Sequence, residues 1–381
     1  MPKLKSPNLS DPELIYKIGI ELIPKIGSIN AKKLIAYCGG IEAVFKESKK
    51  NLLKIPGIGE KIASEVVNQS ILKKAEAEVK FIDKFGIKTL YFADPNYPER
   101  LKQCEDGPVL IYVKSKGTIN LNSDKIISIV GTRKATSYGK NICELLIEGL
   151  VKKNYKPIIV SGLAYGIDIA AHKSAIKHQL PTIAILGHGL DTIYPNLHRN
   201  IAKEIVNQGA LITDFISGTP FDRNNFLRRN RIIAGLSDAT IIVESAEEGG
   251  ALVTADIANS YNREVFAVPG NVTSAYSKGC NQLIKQNKAA LIESADDIEL
   301  LLGWKPNKKN APKQTAIHFD EFDTEAQTIL NYLRENGEET IDVISINTGI
   351  HVSKALSALL NLEFAGVVVS KPGKIFALNP M

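Results

Sequence analysis

The sequence is poor in the residues that mark several functional classes. Its four cysteines, Cys38, Cys104, Cys143 and Cys280, lie far apart and form no CxxC pair, which argues against a disulfide framework and a thiolate zinc site and leaves reduced structural thiols. Six histidines, His172, His178, His188, His198, His318 and His351, show no metal-ligand spacing, so no metal is expected. No GxxxxGK[ST] string occurs, which excludes P-loop nucleotide hydrolysis, and no GxGxxG opens a helix, so dinucleotide binding is not expected. No apolar run approaches the ~20 residues of a membrane-spanning helix, and no membrane partner is expected. The first residues, MPKLKSPNLSDPE, lack the apolar stretch of a signal peptide, so the expected location is the cytosol.

What is present suits a globular chain of two or three domains: 381 residues, 44% hydrophobic and 23% charged. The net charge of +6 is unevenly spread. Residues 1–75 carry 13 Lys+Arg against 7 Asp+Glu, residues 76–302 carry 26 against 25, residues 303–318 carry 4 against none, and residues 319–381 carry 4 against 9. A polyanion would meet a basic N-terminal module and an acidic C-terminal one, and any anion site in the neutral middle must arise from local clustering.

Four segments follow from pattern: a helical domain over 1–75, an α/β domain over 76–302, a linker over 303–318 and a last module over 319–381. In the first, IPKIGSINAKKLI and IPGIGEKIASEVV repeat at a spacing of 32. Each unit reads as a helix, a tight Gly turn and a second helix, with a small Ala where the helices meet, which is the pattern of a tandem helix–hairpin–helix. Such turns either serve packing alone or hold a phosphate with backbone N–H groups. From Lys125 onward, β-branched runs alternate with helical stretches. Strands are expected at Ile126–Val130, Pro157–Ser161, Thr182–Leu186, Leu211–Asp214, Ala239–Val243, Glu264–Val268 and Ala289–Ile292, with an extra one at Val109–Val113. Most are continuously apolar, as in a doubly wound, mostly parallel sheet covered on both faces. GWKPNKKNAPKQTAIH holds two prolines and no acid, which marks the linker. Beyond it, helices over Asp323–Asn336, Ile341–Thr348 and Val352–Phe364 followed by VVVSKPGKIFAL read as a winged helix.

Ligands of parallel α/β sheets bind beyond the carboxyl ends of the strands. Those positions hold Gly131-Thr132-Arg133, then Ser161-Gly162 leading to Gly166-Ile167-Asp168, then Gly187-His188-Gly189, and lastly Glu244 followed by Gly249-Gly250 and Thr254. Glycines admit an anion to the backbone, and helix N-termini offer it free N–H groups. Cations come from Arg133, Arg199, Arg223, Arg228, Arg229 and Arg231. Three arginines within four residues, ahead of an apolar helical stretch, oppose the helix dipole, so some are expected to face an anion. Asp168, one turn before His172, reads as a charge capping its helix.

Taken in order, Gly131-Thr132-Arg133, SGLAYGIDIAAH, GLDTIYP, RNRIIAGLS, VES…GGALVTADIA and AVPGN…GCNQLI resemble the motif series of the DNA-processing protein A (DprA/Smf) family, over about residues 85–302. The flanking modules resemble that family's sterile-alpha-motif-like N-terminal domain and its C-terminal winged helix. The resemblance implies a Rossmann-like core, single-stranded DNA held in a positive pocket, a homodimer, and loading of a RecA-type recombinase during natural transformation, with no cofactor and no catalysis. It assigns phosphate contact to Arg133 and carries the Ser-Gly turn onto Ser161 and Gly162 and the RNR motif onto Arg229, Asn230 and Arg231. The candidate DNA-binding set is Gly131, Thr132, Arg133, Ser161, Gly162, Arg199, Arg223, Arg228, Arg229, Asn230, Arg231, Gly250 and Thr254. Two positions depart from the family pattern: Leu227 stands where a proline is usual, and Gly249 where a serine often is.

Two other functions fit parts of the pattern. Nucleoside-monophosphate phosphoribohydrolases resemble the chain in the Gly-Gly…Thr turn and need a carboxylate beside it, for which Glu247, Glu248 and Asp256 are available, but their PGGxGTxxE string is absent. A transcription factor built on the winged helix would read DNA with VSKALSALLNLEF, whose one basic residue is Lys354, whereas phosphate contacts need several Lys or Arg.

Overall fold

A computed structural model describes residues 11–305, 322–371 and 374–379. The chain forms two compact units, Met1–Pro306 and Asn307–Met381. The first is built on a sheet of nine strands: β1 Lys88–Tyr91, β2 Leu110–Lys114, β3 Ile126–Val130, β4 Ile158–Ser161, β5 Thr182–Ile185, β6 Ala210–Thr213, β7 Ala239–Ile242, β8 Glu264–Ala267 and β9 Ala290–Leu291, in the order β1-β2-β6-β5-β4-β3-β7-β8-β9. From β6 to β9 all pairings are parallel, as the continuous apolar runs predict, and β3 to β7 are buried along their whole length.

Successive residues of these strands feed opposite faces. Ile126, Val130, Val160 and Ile185 pack with Ile232, Ile233 and Ala255 on one side. Ile127, Ile129, Ile159 and Ile241 pack with Leu146, Leu150, Ala171 and Ala175 on the other. The chain runs outward from β3 through β4, β5 and β6, then returns across β3 to start again at β7. Their neighbouring carboxyl ends are therefore the switch point where such sheets bind ligands.

The strand over 109–113 is present as antiparallel β2, paired with β6. Its antiparallel neighbour β1 was not expected from sequence; it is short, at the sheet edge and only half-buried. The N-terminal helices pack against this edge, Leu14, Ile18, Leu34 and Ile82 sharing one core with Tyr91, Leu110 and Tyr112. Within them the repeat forms two hairpins, Leu14–Leu22 with Gly27–Cys38 and Lys49–Leu52 with Glu60–Asn68, and both Ala31 and Ala63 are buried. Of the repeated glycine pair, Gly27 is left-handed (φ 61°) as expected and Gly59 is not (φ −89°); the position left-handed in both turns is Lys25 (φ 68°) in the first and Gly57 (φ 88°) in the second. In the first copy, a lysine thus occupies a conformation that favours glycine.

The second unit folds helices Thr324–Asn336, Ile341–Thr348 and Val352–Phe364 around Ile329, Leu333, Ile344, Leu359 and Leu362. Asp323 caps the first by accepting the N–H of Ala326 at 2.7 Å. A sheet ordered β10 (Glu339–Thr340), β12 (Ile375–Leu378), β11 (Val368–Lys371) completes a winged helix, with two-residue β10 the part not anticipated. The expected Pro-Gly turn and linker residues 306–318 lie outside the described residues, whereas Trp304 packs against Tyr155 with ring centroids 5.2 Å apart and the rings tilted by 53°.

All four cysteines are free thiols, and burial pushes those of Cys143 and Cys280 up to about 12, where they are unreactive. Among the described residues, no single helix is long and apolar enough to cross a membrane.

Candidate nucleic-acid interface

A cleft of about 380 Å³ opens at the switch point between β3 and β7. Its walls begin with the backbone. Thr132 donates its N–H to the carbonyl of Glu244 at 2.7 Å, and its own carbonyl accepts the N–H of Ile167 at 3.2 Å. No side chain fits at Gly131, where a Cβ would stand 2.5 Å from Ile167 and 2.8 Å from the Glu244 carbonyl. Gly166 (φ 78°) is equally constrained, since a Cβ there would stand 2.1 Å from the Thr132 carbonyl oxygen. The Glu244 carboxylate accepts the N–H and hydroxyl of Thr136, which caps helix Ser137–Lys152. The turn that carries Arg133 is thereby clamped on both sides.

Arg133 and Arg223 are exposed, line the cleft and, among the described residues, form no ion pair. The Arg133 guanidinium lies 5.9 Å from the Phe226 ring centre. Arg229 sits in the floor. Its Nη1 donates to the carbonyls of Gly162, at 2.7 Å, and Ile185, and its Nε donates to Asn230 Oδ1. Burial lowers its pKa to about 10, so it stays charged at neutral pH. Opposite, helix Gly250–Ser260 begins in the cleft with no side-chain cap on its first N–H groups. The Gly250 carbonyl accepts Asn230 Nδ2 at 3.3 Å and Thr254 Oγ1 at 3.0 Å, which fixes that helix end. Free arginines, a buried guanidinium and an uncapped helix N-terminus facing one space are the groups that suit an anion.

Of the candidate set, Gly131, Thr132, Arg133, Arg223, Arg229, Asn230, Gly250 and Thr254 line the cleft. The other five are placed elsewhere. Ser161 is buried and donates its hydroxyl to the Ile129 carbonyl at 2.6 Å. Gly162 lies beneath the Arg229 guanidinium, which a Cβ would approach to 2.5 Å, so its role is to let that side chain cross. Arg199 opens helix Arg199–Gln208, away from the cleft lining. Arg231 is buried against Asp214 at 2.6 Å and donates to the Asp106 carbonyl. Arg228 reaches the same Asp214 oxygen at 3.3 Å and stacks on Phe215. Helix Arg223–Leu236 thus gives one face to the cleft and another to Asp214.

Beside Asp214, a second cavity of about 380 Å³ is lined by Glu21, Asn225 and Arg228 and by the first hairpin turn. Glu21 accepts the N–H groups of Val109 and Leu110 at 3.1 Å through Oε1. Among the described residues its Oε2, and Oδ1 of Asp214, have no hydrogen-bond partner. Burial, and then the Asp214 charge, raises the Glu21 pKa to about 8.

Sequence reading missed Asp168 as part of the cleft. It is buried there, accepts the Ala164 N–H at 3.4 Å, and burial raises its pKa against the opposing pull of Arg229. Helix-capping position explained it in the sequence, and nothing local signals that the floor folds over it. Of the carboxylates a phosphoribohydrolase could use, Glu248 lines the cleft, whereas Asp256 pairs with Lys288 at 3.0 Å.

Comparison with known proteins agrees with this architecture. The profile described as DNA recombination-mediator protein A matches residues 88–302, a helix-hairpin-helix motif matches 14–74, and the DprA winged helix domain matches 309–374. Protein Smf of Escherichia coli is 36% identical over 283 residues, which span 73% of this chain and 74% of that protein. The crystal structure of DNA processing protein A from Streptococcus pneumoniae is similar with a TM-score of 0.62 at 29% identity, covering 75% of this chain and 97% of that one. A structure of DNA processing protein A from Helicobacter pylori, described for its single-stranded DNA binding mode, is similar with a TM-score of 0.51 at 29% identity, covering 57% and 96%.

Proposed function

Because the chain belongs to the DNA-processing protein A family, we propose that it binds single-stranded DNA in the switch-point cleft and performs no catalysis there. One observation carries this: Arg133 and Arg223, unpaired among the described residues, share the cleft with the uncapped N-terminus of helix Gly250–Ser260. Both arginines receive phosphates, Arg229 adds fixed positive potential from the floor, and Asn230 and Thr254 hold the helix end in place. Gly131, Thr132 and Gly250 bring backbone close to the strand. A homodimer acting in the cytoplasm, which protects incoming DNA and passes it to a RecA-type recombinase during transformation, completes the proposal. The winged helix serves protein contacts, since its Lys354 is already paired with Glu325 at 2.9 Å.

Titration of fluorescent oligothymidine at several salt concentrations tests the DNA-binding claim. Each phosphate contact is expected to add ~0.7 to the log–log salt slope; a flat response, or no binding at low salt, overturns it. Sedimentation of the full chain at tens of micromolar tests the dimer, and a monomer of 41.6 kDa refutes it.

A further inference from the structure

Aromatic side chains are normally covered, and a cluster left open beside a charged cleft calls for an occupant. Tyr194 is 45% exposed and Phe221 51% exposed. Their ring centres are 5.0 Å apart at 41°. Tyr194 also lies 5.7 Å from Phe226, which lines the cleft and carries the Arg133 guanidinium over its ring. The aromatic surface is thus continuous with the anion site through one shared side chain.

The surface is also held in place. His188 is buried, packs edge-on against Phe221 with ring centres 5.3 Å apart, and its Nε2 accepts the backbone N–H of Tyr194 at 3.3 Å. Nε2 therefore carries no proton, and Nδ1 donates to the Gly189 carbonyl at 2.8 Å. One neutral imidazole fixes both the loop that bears Tyr194 and the ring of Phe221.

We propose that Tyr194 and Phe221 form a base-stacking shelf at the edge of the cleft, which takes the nucleobases of a single strand whose phosphates the cleft holds. The proposal rests on the single-stranded DNA reading above and adds where the bases go. Stacking on an aromatic face is tolerant of sequence, because every base presents a π surface. It also requires an unpaired strand, since duplex bases are already stacked on each other. The shelf therefore selects single-stranded over double-stranded DNA, a distinction that phosphate contacts alone do not supply.

The test compares two probes of equal phosphate number, oligothymidine and an oligomer of abasic sites, on the full chain and on a Tyr194→Leu, Phe221→Leu double variant. Leucine keeps apolar volume and removes the π face. The wild type is expected to prefer oligothymidine by about tenfold or more, and the double variant to lose about that factor on oligothymidine while binding the abasic oligomer as before. Replacing the leucines by a Tyr194→Trp, Phe221→Leu pair should restore part of the preference. Equal wild-type affinity for both probes overturns the shelf and leaves the phosphate site standing. Parallel loss on both probes also overturns it, whether the rings serve the fold or a contact with a second copy, which sedimentation of the variant separates. No wild-type binding to either probe sinks the DNA reading itself. Should the double variant melt early, the single variants Tyr194→Leu and Phe221→Leu are read in its place, each expected to lose part of the preference for oligothymidine and none of the abasic affinity; no loss in either overturns the shelf.

Discussion

Helix Arg223–Leu236 serves two regions that use the same residue type in opposite ways. Toward the switch point, Arg133 and Arg223 stand exposed with no carboxylate partner among the described residues, and Arg229 spends its hydrogen bonds on carbonyls. Toward the sheet edge, Arg228 and Arg231 both close on Asp214, whose side chain is fully buried. The first region keeps positive charge available, and the second commits it to a buried carboxylate. An arginine-rich run therefore says that carboxylates or anions are near, and only the fold says which.

This contrast can be broken at several points. Arg231→Ala should have the largest effect, about 3–5 kcal/mol of lost stability in denaturant unfolding, because it removes the closer partner of a buried carboxylate. Any residual folded protein should keep its DNA affinity per molecule; selective loss of binding with normal stability would place Arg231 in the DNA site instead. Next, Arg133→Ala should weaken oligothymidine binding about ten- to a hundredfold with an unchanged melting temperature. Lys354→Ala and removal of residues 303–381 should leave most of it. Abolished binding in the truncation together with normal binding by folded Arg133→Ala would move the site to the wrong unit.

The Asp214 corner also predicts a pH response. Glu21 titrates near 4.5 when unfolded and about 8 in the fold. Stability from its neutral form is complete below about pH 4.5 and lost as pH rises through about 8. The wild-type melting temperature should fall by a few degrees between pH 6 and 9 on this account, and Glu21→Gln, which keeps the accepting oxygen, should flatten that slope. Identical slopes in a thermal scan would show that Glu21 is ionised throughout. The smallest effect is Lys25→Gly, which should add about 0.5–1 kcal/mol by relieving a left-handed lysine where the second repeat already has Gly57.

Much of the frame was legible in the sequence. Continuous runs such as IISIV and ATIIV mark buried parallel strands, and the rule for ligand position then points at Gly131–Arg133 and Gly249–Gly250 without further information. Arg228 and Arg231 could not be sorted from Arg223 and Arg229 in that way. What sorts them is Asp214, which follows β6, and Asp106, 125 residues before Arg231. Such pairings are tertiary facts. β1 was missed because KTLY is four residues long, half-buried and without a strong period. Repeat alignment drew attention to the paired Gly27 and Gly59, of which Gly27 is left-handed (φ 61°) and Gly59 is not, and it gave no sign that Lys25, aligned with Gly57, is left-handed as well.

The Arg229 guanidinium has a consequence for kinetics. By donating to Gly162 and Ile185, it braces the ends of two neighbouring strands and holds the cleft floor before any ligand arrives. On the proposed reading, a strand entering from solvent meets a floor that is already braced, and encounter, accelerated by the positive field, is expected to limit the association rate. Salt should then slow capture strongly, and the lifetime of the complex should be set by how many contacts the strand must release at once.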